Sequence, residues 1–106
     1  MIKIVSNLTA LPKLSRAEFI EHWQSVHKPL ILALPGLVAY RQSPAIEHRN
    51  KWPSSGLAEL WFDTLKDVKV AFESPEADAM REDEKKLFAD ISWYIVEEGE
   101  KYSRRK

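Results

Sequence analysis

The segment from Ser15 to Leu34 places the strongest constraint on the fold, because it combines a helical apolar stripe with an internal proline. Ser15 and Glu18 have the spacing of a capping box, which begins a helix at this point. A helix with one apolar face must bury that face against another layer of structure. At helical spacing, the predicted apolar stripe contains Phe19, Ile20, Trp23, Val26 and His27.

The histidine within this stripe is close to the proline. His27 lies inside the stripe, whereas His22 lies at its edge. Pro29 has no N–H group to donate to the carbonyl of Ser25, and proline disfavours the α conformation of the residue before it. We therefore expect the helix to kink or restart at Pro29 and to end at the Pro35-Gly36 pair, where Gly36 allows a positive φ.

The remaining elements alternate in a recognisable order. Period-two patterns predict strands over 2–9, 37–43, 57–63 and 91–97. Thr64 and Ser74 have the positions of N-caps for two further helical segments, the second of which is predicted to run to about Asp90. The buried side of that segment is predicted to contain Ala79, Met80, Asp83, Leu87 and Phe88. The order βαββαβ predicts an α+β, ferredoxin-like fold with a four-stranded antiparallel sheet and the helices on one face.

The other face of the sheet is also apolar in part. Trp61 points to the sheet face away from Leu60 and Phe62, and Trp93 points to the face away from Tyr94, so both faces of these strands carry large apolar side chains. A single α+β chain has no second layer to cover such a face. The pattern therefore predicts a homodimer formed through the sheet faces.

Length and composition limit the function classes. The 106 residues predict one domain over 1–106, with residues 98–106 as a loose C-terminal tail. Sixteen basic residues balance sixteen acidic ones, which argues against a nucleic-acid partner. The absence of cysteine excludes disulfides and thiolate chemistry. Apolar runs are too short to cross a membrane and no signal-peptide pattern begins the chain, so we expect a cytoplasmic protein with no membrane partner.

Two side chains are candidates for chemistry. An imidazole in an apolar wall, here His27, can exchange protons at neutral pH. The alternative role of His27 is that of a core histidine that donates a hydrogen bond to a backbone carbonyl, such as that of Ser25. A tyrosine such as Tyr40 can hold a substrate carbonyl, or can be a half-buried strand tyrosine whose hydroxyl meets water. No metal site is expected, because His22 and His27 are five residues apart and do not share a helical face.

The long polar segment 44–56 contains a further histidine and a tryptophan. A connection of this length in a compact domain is commonly functional or mobile. His48 and Trp52 could cover a pocket, or could be incidental residues of an exposed loop.

Several separated blocks resemble one protein family. The pattern Phe19-x-x-x-Trp23-x-x-x-His27-x-Pro29, the block Leu34-Pro35-Gly36-Leu37-x-x-Tyr40 and the later Ser74-Pro75-Glu76 occur in the order found in the EthD family. The resemblance spans about residues 3–98. It implies a dimeric α+β barrel of two ferredoxin-like protomers, with a pocket between the helices and the sheet of each.

The resemblance also implies a range of activities. We expect a cofactor-independent enzyme of the lyase, isomerase, cyclase or monooxygenase type, acting on a small hydrophobic carbonyl compound. His27 is the expected general acid or base, and Tyr40 is expected to orient the substrate. The residues expected to bind the substrate are Trp23, Leu60, Phe72 and His48. The alternative is a dimeric protein that binds a small ligand without catalysis or acts in a stress response.

Overall fold

The computed structural model describes residues 1–105 as an antiparallel sheet with helices packed on one face. In chain order, the elements are β1 (Ile2–Ala10), α1 (Arg16–His22), a π-helical turn (Trp23–His27), α2 (Lys28–Leu32), β2 (Leu37–Pro44), β3 (Gly56–Phe62), α3 (Leu65–Phe72), α4 (Pro75–Glu84) and β4 (Phe88–Glu97). The four strands are ordered β2-β3-β1-β4 and every neighbouring pair is antiparallel. This confirms the predicted ferredoxin-like α+β fold.

The helix starts follow the predicted capping chemistry. The Ser15 hydroxyl accepts a hydrogen bond from the Glu18 amide, and the Glu18 carboxylate accepts one from the Ser15 amide, which completes the capping box. Thr64 and Ser74 likewise cap α3 and α4 with their hydroxyls, and Pro75 occupies the first turn of α4. Gly36, after the helical region, has a φ of +77°, as the turn into β2 requires.

As predicted, the α-helix restarts at Pro29: α2 begins at Lys28, has Pro29 in its first turn, and follows a widened turn that was not predicted. Residues Trp23–His27 form one π turn, in which the Lys28 amide donates to the Trp23 carbonyl. Lys28 keeps α-helical backbone angles, so the expected displacement of this residue is wrong. Because a π turn rotates less per residue than an α turn, Val26 moves out of the apolar stripe and is 48% exposed.

The chain leaves α4 earlier than the sequence pattern suggests. The helix ends at Glu84, not near Asp90, and β4 begins at Phe88. Phe88 pairs with Ala10, so β4 follows β1 over its whole length. In α4 the buried alanine is Ala77, whereas Ala79, predicted to face the core, is exposed.

A register shift changes the faces of β2. The ladder with β3 is interrupted between Leu37 and Ala39, where Val38 forms the extra residue of a bulge. Leu37 therefore packs against the core, and Val38, which uninterrupted alternation would place on the same face as Tyr40, is 49% exposed. Tyr40 lies opposite Leu60 on the helix side of the sheet.

The core lies between the helices and the inner face of the sheet, which is the face that carries Tyr40 and Leu60. Its largest fully buried side chains are Trp23, Phe19, Phe62 and Leu87. The region 98–105 contains no helix or strand and is exposed, and the last residue of the predicted tail, at position 106, lies outside the described residues. In the described part of the chain, no helix has the length and apolar character needed to cross a membrane.

Candidate active site

A cavity of about 390 Å³ lies between the helices and the sheet. Its sheet wall includes Ile4 and Leu60, and its helix wall includes Ile31 and Val68. Most of the lining is apolar, and a few polar side chains interrupt it. A space of this size, with few polar groups on apolar walls, has the character of a small-molecule site.

The cavity brings together five of the six site residues predicted from the sequence. The lining residues among them are His27, Tyr40, Trp23, Leu60 and Phe72. His48 does not line the cavity. It lies in the exposed connection between β2 and β3, where its ring is 5.5 Å from that of Trp52 and its Nδ1 accepts a hydrogen bond from the Asn50 amide. We therefore leave His48 out of the site.

The connection containing His48 covers a different part of the molecule. Trp52 lines a second, smaller cavity of about 260 Å³, together with Phe19 and Ile20 of α1. The loop is held to the sheet by Ser55, whose hydroxyl accepts a hydrogen bond from the Ala10 amide at 2.9 Å. In this structure, the loop does not cover the cavity at His27.

His27 is bonded to a carboxylate, and not to the carbonyl of Ser25. Its Nδ1 is 2.9 Å from Oδ2 of Asp83, which lies on α4. The other carboxylate oxygen, Oδ1, is 2.8 Å from Nε2 of His22. The side chain of Asp83 thus joins two histidines from the first helical region to α4.

This arrangement defines the protonation of the His27 ring. An ionised carboxylate only accepts hydrogen bonds, so Nδ1 of His27 must donate its hydrogen to Asp83. The second ring nitrogen, Nε2, has no hydrogen-bond partner among residues 1–105. Burial lowers the pKa of His27, and the bond to Asp83 opposes this effect without cancelling it. The ring is therefore neutral near pH 7, with a free lone pair on Nε2.

The environment of Asp83 keeps it ionised. Burial acts to raise the pKa of this carboxyl, but the hydrogen bonds from His22 and His27 outweigh it and hold the pKa below its ordinary value. Phe88 packs edge-on against the His27 ring, with 5.5 Å between the ring centres. The imidazole is thus oriented by Asp83 on one side and by an aromatic ring on another.

Tyr40 adds a hydroxyl group to the same cavity. Its oxygen accepts a hydrogen bond from Nε2 of Gln42 at 2.9 Å. Burial raises the pKa of Tyr40 to about 12, so the group is a neutral phenol at physiological pH. It can donate a hydrogen bond to a ligand but does not act as a base.

A carboxyl group and two cations complete the polar part of the lining. Glu84, Arg81 and Lys69 all contribute to the cavity wall. Burial raises the pKa of Glu84, and the positive charge of Arg81 opposes this change. Within residues 1–105, no group of three or more histidine and carboxylate side chains has an arrangement that could hold a metal ion.

The sequence pattern places Asp83 on a buried helix face but does not assign it to the site. The signal available in the sequence was that Asp83, a carboxylate, lies on the core-facing side of a highly charged helix. An ionised carboxylate that is 6% exposed requires a hydrogen-bond donor or a cation nearby. The sequence alone did not identify the two histidines as those donors, because the contact joins segments 56 and 61 residues apart.

Comparison with known proteins agrees with the fold and identifies the family. Solved structures similar to this chain include an ethyl tert-butyl ether D (EthD) family protein from Bacillus halodurans C-125, which is 23% identical in sequence. The two structures superpose with a TM-score of 0.79, and the match covers 93% of this chain and 99% of that one. A dimeric ferredoxin-like protein of unknown function from Thermobifida fusca YX is 13% identical, with a TM-score of 0.73 and coverage of 90% and 88%. A DABB family protein with a ferredoxin-like fold from Mesorhizobium loti is 14% identical, with a TM-score of 0.74 and coverage of 92% and 97%.

Sequence comparison gives a more specific result. No curated protein matches the chain. The family model of the EthD domain matches residues 11–92, a range that includes both helical regions and His27, Tyr40 and Asp83. The chain therefore belongs to the EthD domain family.

Proposed function

We propose that this protein is an enzyme that transfers protons on a small hydrophobic carbonyl compound, with His27 as the general base. The observation that carries the proposal is the 2.9 Å bond from His27 Nδ1 to Asp83, which leaves Nε2 unprotonated in an apolar cavity. A neutral imidazole with a fixed tautomer is suited to remove a proton near pH 7. Tyr40 supplies a hydrogen-bond donor for the substrate oxygen in the same cavity.

The proposed step conserves protons and needs only these side chains. His27 Nε2 takes a proton from the carbon next to the carbonyl, the electron pair of the broken C–H bond forms a C=C bond, and the π pair of the C=O bond moves onto the oxygen. The hydroxyl of Tyr40 stabilises the resulting enolate by a hydrogen bond. His27 then returns the proton to the substrate, which restores the neutral ring. Lyases, isomerases and cyclases that proceed through an enolate share this first step.

Proton exchange into small ketones tests the proposal directly. In deuterated water, we expect the wild-type protein to catalyse exchange of the hydrogens next to the carbonyl in at least one member of a panel of hydrophobic ketones, as measured by NMR. His27→Gln should lower that rate by about a hundredfold, because general base catalysis contributes on that order. His48→Gln is the matched control, since His48 lies outside the cavity.

The second candidate function is ligand binding without turnover, which the predominantly apolar cavity lining supports. Binding of the ketones with no exchange above the His27→Gln rate would favour this candidate over the enzyme. Retention of the full exchange rate in His27→Gln would reject His27 as the base.

We also propose that two chains associate through their outer sheet faces. Tyr94 on this face is 59% exposed, and Val5 lies beside it on β1. Trp61 is near a charged cluster, in which Glu59 forms ion pairs at 2.9 Å with Lys3 and 2.8 Å with Arg41. The ion pairs satisfy the charges before association, and the aromatic and aliphatic groups supply apolar area. The similar protein from Thermobifida fusca is described as dimeric.

A further inference from the structure

The side chain of Gln42 connects the site tyrosine to the π turn. Its Nε2 donates to the backbone carbonyl of Trp23 at 2.8 Å and to the hydroxyl oxygen of Tyr40 at 2.9 Å. The orientation of this amide follows from its partners, because a backbone carbonyl can only accept hydrogen bonds. The NH2 end of Gln42 must therefore face both groups.

This contact determines the direction of the Tyr40 hydroxyl. Since Gln42 donates to the tyrosine oxygen, the hydrogen of the hydroxyl must point to another partner. No residue among 1–105 accepts that hydrogen. The indole N–H of Trp23 also lies near the same oxygen and lowers the pKa of Tyr40, although it forms no well-aligned hydrogen bond. Two N–H groups thus approach the oxygen of Tyr40, while its own hydrogen has no partner in the part of the chain that the structure describes.

The geometry of Gln42 ties the cavity to its supporting elements. Gln42 lies opposite Ala58 in the sheet and shares the inner face with Tyr40. The Trp23 carbonyl that it bonds also accepts the Lys28 amide of the π turn. Gln42 does not line the cavity itself. Its side chain is therefore placed to support Tyr40 without touching a ligand.

We infer that Gln42 is a positioning residue that holds Tyr40 as a hydrogen-bond donor, so that the cavity selects ligands with an acceptor oxygen. The ligand class is a small apolar molecule with a carbonyl oxygen, or its enolate, in contrast to a hydrocarbon of the same shape. The inference rests on the proposed function, because it names the group that the site recognises. An acceptor oxygen satisfies the free hydrogen of Tyr40, whereas a hydrocarbon leaves it without a partner.

A matched pair of ligands and a nearly isosteric substitution test the inference. Acetophenone and α-methylstyrene have similar shapes, but only acetophenone has an oxygen. We expect the wild-type protein to bind acetophenone roughly fivefold more tightly, the value of one neutral hydrogen bond. In Gln42→Glu, the new carboxylate accepts the Tyr40 hydrogen, so the preference should fall to about one while α-methylstyrene binding is retained. Calorimetry or ligand-detected NMR measures both affinities.

Three variants separate positioning from a general structural effect. Gln24→Glu makes the same exchange at an exposed position and should keep the wild-type preference. Tyr40→Phe should abolish the preference, and adding Gln42→Glu to it should change the ratio no further. Gln42→Met removes both hydrogen bonds that the Gln42 amide donates, without adding a charge, and should reduce the preference. It replaces Gln42→Glu as the test variant if Gln42→Glu does not fold.

Four results would overturn the inference. Equal affinity of the wild-type protein for the two ligands would reject oxygen selection while leaving the cavity as a binding site. An unchanged preference in Gln42→Glu or in Gln42→Met would reject the role of Gln42. A further loss of preference on adding Gln42→Glu to Tyr40→Phe would show that Gln42 acts independently of Tyr40. Binding of neither ligand would reject the inference together with the proposed ligand-binding function.

Discussion

Asp83 is the residue on which the geometry of the candidate site depends. It is 6% exposed, and each of its oxygens accepts a hydrogen bond from a different histidine. Hydrogen bonds to an ionised group are stronger than neutral ones, and a buried carboxylate without them is costly. Asp83 therefore both stabilises the contact between helices and determines which nitrogen of His27 is free.

Asp83→Asn should lower the free energy of unfolding and should no longer hold His27 in a single tautomer. The two histidines approach different oxygens of Asp83, and in the amide one of these oxygens becomes an NH2 group, which faces a ring nitrogen and cannot accept its hydrogen bond. We expect the free energy of unfolding to fall by about 1.5–3 kcal/mol, measured by urea denaturation. The His27 tautomer, measured by 15N NMR, should no longer be exclusively the Nδ1–H form.

Asp78→Asn is the matched control for this substitution. Asp78 lies on the same helix, and its side chain is 80% exposed beside Arg81. We expect a change within about 0.5 kcal/mol, as for most surface substitutions. Equal destabilisation by the two variants would contradict the structural role assigned to Asp83.

The depressed pKa of His27 predicts a loss of stability in mild acid. The unfolded chain binds a proton at His27 near the ordinary pKa of 6.5, whereas the folded state binds it only at lower pH. Between these values the unfolded state holds more protons, so the free energy of unfolding decreases as pH falls below about 6.5. Asp83 adds nothing in this window, because its pKa is below 3.8 in the folded state.

The His27→Gln variant isolates this contribution. Glu84 has a raised pKa and acts in the opposite direction, but it is present in both proteins. Urea denaturation at about pH 7.5, 6.5 and 5.5 should therefore show a smaller decline for His27→Gln than for the wild type. Parallel declines in the two proteins would mean that His27 is not the group responsible.

At the scale of the elements, the π turn and the start of β3 are packed in close contact. A Cβ atom added to Gly56 would meet Cη2 and Cζ3 of Trp23 at 2.8 and 2.9 Å and the Ser43 carbonyl oxygen at 3.2 Å. Trp23 is fully buried and its ring cannot move freely. The absence of a side chain at Gly56 is thus what lets the π turn lie on the sheet.

Gly56→Ala should force the indole of Trp23 to shift. We expect a loss of about 1–3 kcal/mol in the free energy of unfolding, the usual range for overpacking, together with weaker ligand binding in the cavity that Trp23 lines. Gly99→Ala is the control, because an added Cβ there meets no atom within 4 Å. Thermal and urea unfolding of both variants measure the difference, and full stability in Gly56→Ala would contradict the close contact.

At the scale of the whole molecule, the uncovered sheet face determines the expected assembly. We expect sedimentation to give twice the 12.3 kDa mass of the chain at micromolar concentration. Val5→Glu places a charge on the central strand β1, between Glu59 and Tyr94, and should shift the protein towards monomer. A monomeric wild-type protein would contradict the proposed homodimer.

Val70→Glu provides the comparison for this variant. Val70 is 51% exposed on α3, on the opposite side of the molecule from the outer sheet face. Val70→Glu should therefore sediment in the same way as the wild-type protein. Equal dissociation by both variants would show that the effect of Val5→Glu does not come from the sheet face.

The sequence by itself determined the order of elements and the fold class. Capping residues such as Ser15 and Thr64 and the period-two strands act through neighbours in the chain, so their patterns are visible without a structure. The same local periodicity placed His27 on a buried helix face, and pattern resemblance connected it with Tyr40.

Only the tertiary structure decided the partners of these residues. Asp83 meets His22 and His27 across 61 and 56 residues, and Gln42 meets Trp23 across 19, contacts that no local pattern contains. The π turn before Pro29 and the bulge at Val38 also escaped prediction, because each inserts one residue into a regular repeat and so shifts the faces of its neighbours. The sequence therefore offered the imidazole of His27 and the phenol of Tyr40 as candidates, while long-range packing decided which atoms of each form hydrogen bonds within residues 1–105.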